Sequence, residues 1–121
     1  MLHVELKEAI EDAFAAQLAQ PVELYRDALL VRLKNEVVLE LRMADDAQYS
    51  IAWRWGDAQL RIDTAPLHPQ LATAPRHLHD SEGRVRPDPL TLAGDDAWGT
   101  ARRVIAAIVH EPLLLRPVGG D

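Results

Sequence analysis

Cysteine is absent from this sequence, which excludes disulfide bonds, thiolate metal ligands and a cysteine nucleophile. Long apolar runs are also missing, since nothing approaches the roughly 20 residues that a membrane-spanning helix needs. The first residues, MLHVELKEAIEDAF, lack the basic start and apolar stretch of a signal peptide. Neither a glycine-rich phosphate loop nor a nucleophile elbow occurs. We therefore expect a soluble, cytoplasmic protein with no membrane association.

Positive charge is also scarce, because 13 Lys and Arg stand against 19 Asp and Glu, a net charge of -6. Such a balance opposes non-specific binding to polyanions and favours a basic partner. The imbalance is uneven, since residues 64–87 carry three Arg and three His against two acids. An RNA or nucleotide phosphate is expected to bind there, if anywhere. The length of 121 residues predicts a single domain over 1–121.

Hydrophobic periodicity predicts an α+β fold. Apolar residues recur every four positions over residues 2–18, which is typical of an amphipathic helix that ends before Pro21. From Leu29 to Asp63 the period becomes two, interrupted by polar turns. This alternation predicts an antiparallel β-meander of about four strands.

A second amphipathic helix is predicted from Asp95 or Asp96 to about His110, where a capping Asp precedes an apolar stripe. This helix and the first are expected to cover the apolar face of the meander. Trp53 and Trp55 share that face and are predicted to pack in the core rather than to stack bases. The end of the chain, residues 116–121, is expected to fray.

The stretch from residue 64 to residue 90 contains five prolines, which predicts a long loop. Loops of this length in small domains are generally functional or disordered. Apolar residues such as Leu71 and Leu78 give the segment something to pack, and residues 84–86 can add a short edge strand. The functional site is therefore expected between Asp63 and Pro87.

The candidate site residues are His68, Arg76, His77 and His79, with Asp63 just before them. Imidazoles exchange protons near neutral pH, so two His beside an Arg can cleave RNA through its 2'-hydroxyl without a metal. A metal site is a second possibility, because His77 and His79 point to one side of an extended segment, with His68 or Asp63 completing the ligands. The third possibility is that these histidines organise a proline-rich loop.

The order of residues in this region resembles the TumE-like toxins of bacterial and archaeal toxin-antitoxin pairs. That family's strand and loop read roughly Tyr-Asp-Asn-Ala-Pro-His-His-Pro, then Thr-x-Pro-His-His-Lys-His, and the resemblance covers about residues 48–90. The matching positions here are Tyr49, Asp63, Ala65, Pro66, His68, Pro69, Thr73, Pro75, His77 and His79. Departures are Thr64 for Asn, Leu67 and Arg76 for His, and Leu78 for Lys.

The resemblance implies a toxin that a cognate antitoxin neutralises. Combined with the chemistry of the site residues above, it favours a metal-independent ribonuclease that acts on RNA through them. We expect no cofactor and no bound metal, and the sequence leaves the oligomeric state open. A rival interpretation is a non-catalytic interaction or inhibitor module that uses its acidic surface. Substitution of the loop histidines distinguishes the two interpretations. An enzyme should lose activity while it keeps its fold, whereas a binding module should depend more on its acidic helix face.

Overall fold

The computed structural model describes residues 2–114, which form two helices and seven strands. In chain order the elements are α1 (Leu2–Ala13), β1 (Glu23–Tyr25), β2 (Ala28–Arg32), β3 (Val38–Met43), β4 (Tyr49–Trp55), β5 (Ala58–Asp63), β6 (His77–His79), β7 (Val85–Pro87) and α2 (Ala97–His110). The strands make one antiparallel sheet in the order β1 to β7, so each strand pairs with its neighbours in sequence. The α+β meander with two helices is confirmed. The expected fraying at 116–121 lies outside the described residues.

The predicted count of about four strands was too low. Strands β2 to β5 match the predicted meander, and β1, β6 and β7 extend it with three residues each. Strand β1 is exposed along its whole length, so no alternation marks it in the sequence. Strands as short as β6 and β7 cannot display a period either. The predicted long loop is therefore residues 64–76, followed by the β6–β7 hairpin.

The first helix is shorter than the prediction of residues 2–18, because α1 ends at Ala13. Beyond it the chain turns back, and Leu18 forms an isolated antiparallel bridge with Leu33. The backbone N–H of Ala19 then donates to the Arg32 carbonyl over 2.8 Å. The four-residue apolar spacing continues through this turn because its side chains still face the core, although the backbone is no longer helical.

The second helix begins and ends as predicted. Asp96 caps α2, and its side chain accepts a hydrogen bond from the Gly99 backbone N–H over 2.7 Å. The preceding Asp95 instead forms an ion pair with Arg103 over 3.2 Å. Of the residues described, 2–114, no helix is both long and apolar enough to span a membrane.

The core lies between one face of the sheet and the two helices. Its sheet residues alternate along the strands and include Leu29, Val31, Leu39, Leu41, Ile51, Trp53, Leu60, Ile62 and Leu78. Trp53 is buried as predicted, and its indole N–H donates to the Pro112 carbonyl over 2.8 Å.

The prediction that Trp55 packs in the core was wrong, since it is 39% exposed. Trp55 shares the alternation of Trp53 but is the last residue of β4, and burial along this strand ends at Trp53. Its indole N–H bonds the carbonyl of Asn35 over 2.9 Å at the neighbouring turn.

Candidate functional site

The pairing of β5 with β6 gathers polar side chains on the sheet face opposite the core. His77 and His79 flank the buried Leu78, so both imidazoles point away from the core. In the antiparallel register Asp63 lies opposite His77, and Arg61 lies opposite His79. Adjacent strands are about 5 Å apart, so such cross-strand neighbours are in contact.

Asp63 and the two histidines form a compact cluster. Asp63 Oδ1 lies 3.0 Å from His77 Nε2, and Asp63 Oδ2 lies 3.4 Å from His79 Nε2. The two Nε2 atoms are 3.1 Å apart. Asp63 and His77 are buried, whereas the His79 side chain is 31% exposed. The cluster therefore has two buried members, Asp63 and His77, and one imidazole, that of His79, which solvent and ligands can reach.

Fixed hydrogen-bond partners determine where the imidazole protons lie. His77 Nδ1 is 2.9 Å from the Pro75 carbonyl, which can only accept, so this nitrogen carries a proton. His79 Nε2 is 3.1 Å from Arg61 Nη2, which can only donate, so this nitrogen presents its lone pair. Burial and then the Arg61 charge lower the pKa of His79, which favours the neutral ring.

The carboxyl group of Asp63 is held in its ionised form. Burial alone raises its pKa, but donors outweigh that effect and the net pKa is lowered. The Ala65 backbone N–H donates to Oδ1 over 3.0 Å, and Arg61 Nε donates to Oδ2 over 2.7 Å. Asp63 is thus an anion at the centre of the cluster at neutral pH.

His68 reaches the cluster from the loop of residues 64–76. Its ring centroid lies 4.8 Å from that of His77 and 6.2 Å from that of His79, both in edge-to-face geometry. The loop therefore folds back over the open face of the sheet. The three histidines predicted from the sequence as site residues lie together.

Arg76, also named from the sequence, points elsewhere. It shares the alternation of Leu78, so its side chain lies on the core side of the sheet. There its Nη1 donates to the Thr91 carbonyl over 2.7 Å and lies 3.9 Å from Asp88 Oδ2. Arg61 is the arginine that contacts the histidines instead.

Sequence reasoning missed Arg61 because the pairing of β5 with β6 crosses a loop that no local pattern predicts. One signal was present, since Arg61 stands two residues before Asp63 on a strand. Alternation alone places these two side chains on one face.

Asp88 organises a separate buried polar network. Its Oδ1 accepts from the backbone N–H groups of Leu90 and Thr91 over 2.8 Å and 3.2 Å. The Thr91 hydroxyl donates to its Oδ2 and also meets the Tyr49 hydroxyl at 3.1 Å. Burial and the nearby Asp88 charge raise the pKa of Tyr49, while its bond with Thr91 acts against them. This network is enclosed and offers no accessible reactive group.

A comparison with protein-family models matches residues 4–108 to the family described as Toxin TumE. Neither the curated proteins nor the solved structures gave a significant match. The family match spans α1 through α2 and includes every residue of the cluster. The resemblance read from the His-rich segment is therefore confirmed, and this chain belongs to the TumE toxin family.

Proposed function

We propose that this protein is the toxin of a toxin-antitoxin pair and that it cleaves RNA inside the cell at the cluster of Asp63, His68, His77 and His79. The observation that carries the proposal is the convergence of these side chains beside Arg61 on an open sheet face. Family membership supports the toxin role, and a toxin of this kind has a cognate antitoxin as its partner.

The two imidazoles nearest to solvent have complementary roles in this proposal. His79 Nε2 presents a lone pair and takes the proton of a ribose 2'-hydroxyl, whose oxygen then attacks the adjacent phosphorus. The new P–O2' bond forms as the P–O5' bond breaks. Protonated His68 gives its proton to the departing O5', so protons and electron pairs balance.

Arg61 supplies positive charge at the solvent-exposed edge of the cluster. Its side chain is 48% exposed, and its Nη2 can turn from His79 to a phosphate oxygen when RNA binds. This movement would free the lone pair of His79 and stabilise the charge of the phosphorane. Asp63 and His77 are buried, so they act by holding His79 and Arg61 in position.

Toxicity in cells tests the proposal. His79→Ala should relieve growth inhibition while the protein stays folded and still binds its antitoxin. His110→Ala is the matched control, because His110 is exposed at the end of α2, and it should remain fully toxic. A variant with His68, His77 and His79 all replaced by Ala that remains folded and fully toxic would contradict catalysis at this cluster.

A second candidate function is inhibition of a basic partner through the exposed acids of α1. Glu8 and Asp12 are exposed, whereas Glu11 accepts from Lys7 and from the Val22 backbone N–H and so serves the fold. The double variant Glu8→Gln, Asp12→Asn separates the two functions. It should leave toxicity intact if the cluster is responsible, and it should abolish toxicity if the acidic helix face is.

A further inference from the structure

We propose that Asp63, His77 and His79 form a binding site for a first-row divalent transition-metal ion, with zinc as the best fit. Each residue offers one ligand atom, and these atoms all lie within 4.8 Å of one another. Two imidazole nitrogens and one carboxylate oxygen are a ligand set that zinc accepts in open, three-residue sites.

The ligand atoms are oriented toward a common point. The Pro75 carbonyl fixes the proton of His77 on Nδ1, so Nε2 is the atom that faces Asp63 and His79. His79 also turns its Nε2 toward the same point. In neutral imidazoles these two lone pairs converge with an anionic oxygen, an arrangement that only a proton or a cation makes favourable.

The surroundings of the ligands resemble the outer shell of a metal site. Metal-bound histidines usually donate their other ring N–H to a carbonyl or carboxylate, as His77 does to Pro75. Asp63 Oδ1 is fixed by the Ala65 backbone N–H, and both Asp63 and His77 are buried. Little side-chain entropy remains to be lost when an ion binds. The remaining coordination position is open to water or to His68, whose ring lies against His77.

Arg61 competes for the same atoms. Its guanidinium donates to Asp63 Oδ2 and to His79 Nε2, so it occupies lone pairs that an ion requires. Half exposed, its side chain can swing into solvent when a metal enters. Removing this competitor should therefore tighten metal binding.

Metal binding at this cluster does not depend on RNA cleavage. A metal ion would take the His79 lone pair that proton abstraction needs, so the metal-bound form and the base-active form exclude each other. The alternative state of the cluster is metal-free, with His77 Nε2 3.0 Å from Asp63 Oδ1.

Calorimetric titration of untagged, chelator-treated protein with Zn²⁺ tests the proposal, with Co²⁺ absorption as a second readout. One equivalent of Zn²⁺ should bind, and Co²⁺ should give the visible spectrum of a low-coordinate site with nitrogen and oxygen ligands. His79→Ala replaces a partly exposed side chain, so the fold should persist, and binding should weaken by at least about 10-fold. His110→Ala should bind as the parent does.

Arg61→Gln should tighten Zn²⁺ binding several-fold, whereas Arg54→Gln, which removes an exposed charge from neighbouring β4, should not. Binding that is absent from the parent, or unchanged in folded His79→Ala protein, would overturn the inference. Because toxicity is measured separately, a protein that binds no metal but needs His79 for toxicity would contradict this inference and leave the proposed function standing.

Discussion

Two buried carboxylates on opposite sides of the sheet, Asp63 and Asp88, have contrasting surroundings. Asp88 is surrounded by fixed donors, namely two backbone N–H groups, the Thr91 hydroxyl and, further away, Arg76. Asp63 has one backbone donor and an exposed arginine, and its other neighbours are imidazole nitrogens. Backbone donors cannot leave, whereas protons on imidazole nitrogens exchange near neutral pH.

Burial alone therefore does not identify a functional carboxylate in this protein. The partners of Asp88 are held in place by the surrounding structure, so the Asp88 carboxylate is expected to contribute to stability. Around Asp63 the partners can change protonation, swing away or accept a metal, so the group is expected to contribute chemistry. Variants that separate stability from toxicity examine this difference directly.

The largest expected effect is on the Asp88 side. Asp88→Ala leaves two buried N–H groups and the Thr91 hydroxyl without the acceptor they share, and it removes the anion that lies near Arg76. The free energy of unfolding should fall by about 3–5 kcal/mol, as is usual when one partner of a buried charged network is removed. Urea denaturation followed by circular dichroism measures it. Asp63→Ala should lose clearly less, and equal losses would remove the distinction between the two carboxylates.

The two arginines should differ in the same sense. Arg76→Ala removes donors from a buried network and should lower the free energy of unfolding by about 1–3 kcal/mol. Arg61→Ala breaks a half-exposed ion pair and should change it by less than about 1 kcal/mol. Toxicity at equal folded concentration should show the reverse order. If Arg61→Ala stays fully toxic and Arg76→Ala does not, the sequence-based choice of arginine was correct.

Tyr49 gives the smallest effect and a dependence on pH. Tyr49→Phe removes the hydrogen bond to Thr91 and should lower the free energy of unfolding by about 1 kcal/mol at neutral pH. Burial raises the pKa of Tyr49 in the folded protein, so its contribution is intact below about pH 10, where an unfolded tyrosine ionises. That contribution is lost as the pH rises from there through the folded pKa.

Denaturant unfolding between about pH 9 and pH 11 should therefore show a flatter decline for Tyr49→Phe than for the parent. Tyr25→Phe is the control, because Tyr25 is exposed on β1, and its decline should match the parent. Identical curves for all three proteins would mean that Tyr49 is not part of an enclosed network.

The elements that could be predicted from the sequence are those with a repeating hydrophobic pattern. Strands β2 to β5 and helix α2 are long enough to show a period, and Asp96 marks the start of α2. Asp63, His68, His77 and His79 were found because their residue types are rare together, and the structure brings them together.

Lateral pairing was not predictable in the same way. Which residue of β5 faces which residue of β6 depends on how the intervening loop closes, and Arg61 became a neighbour of His79 only through that register. Arg76 was misplaced because sequence proximity to His77 suggested spatial proximity, although adjacent residues of a strand point to opposite faces.

In this meander the strands can pair in the order in which they are synthesised. Each strand pairs with its sequence neighbour, so the strands can pair one after another as the chain leaves the ribosome, and apart from residues 64–76 only short loops must close. The cover that α2 provides for the apolar face follows all seven strands in the chain. A nascent chain can thus pair Asp63 with His77 before α2 has emerged to bury the hydrophobic side. During that interval the apolar face of the new sheet is exposed to solvent. Chaperones and proteases can then bind the chain before α2 packs onto this face.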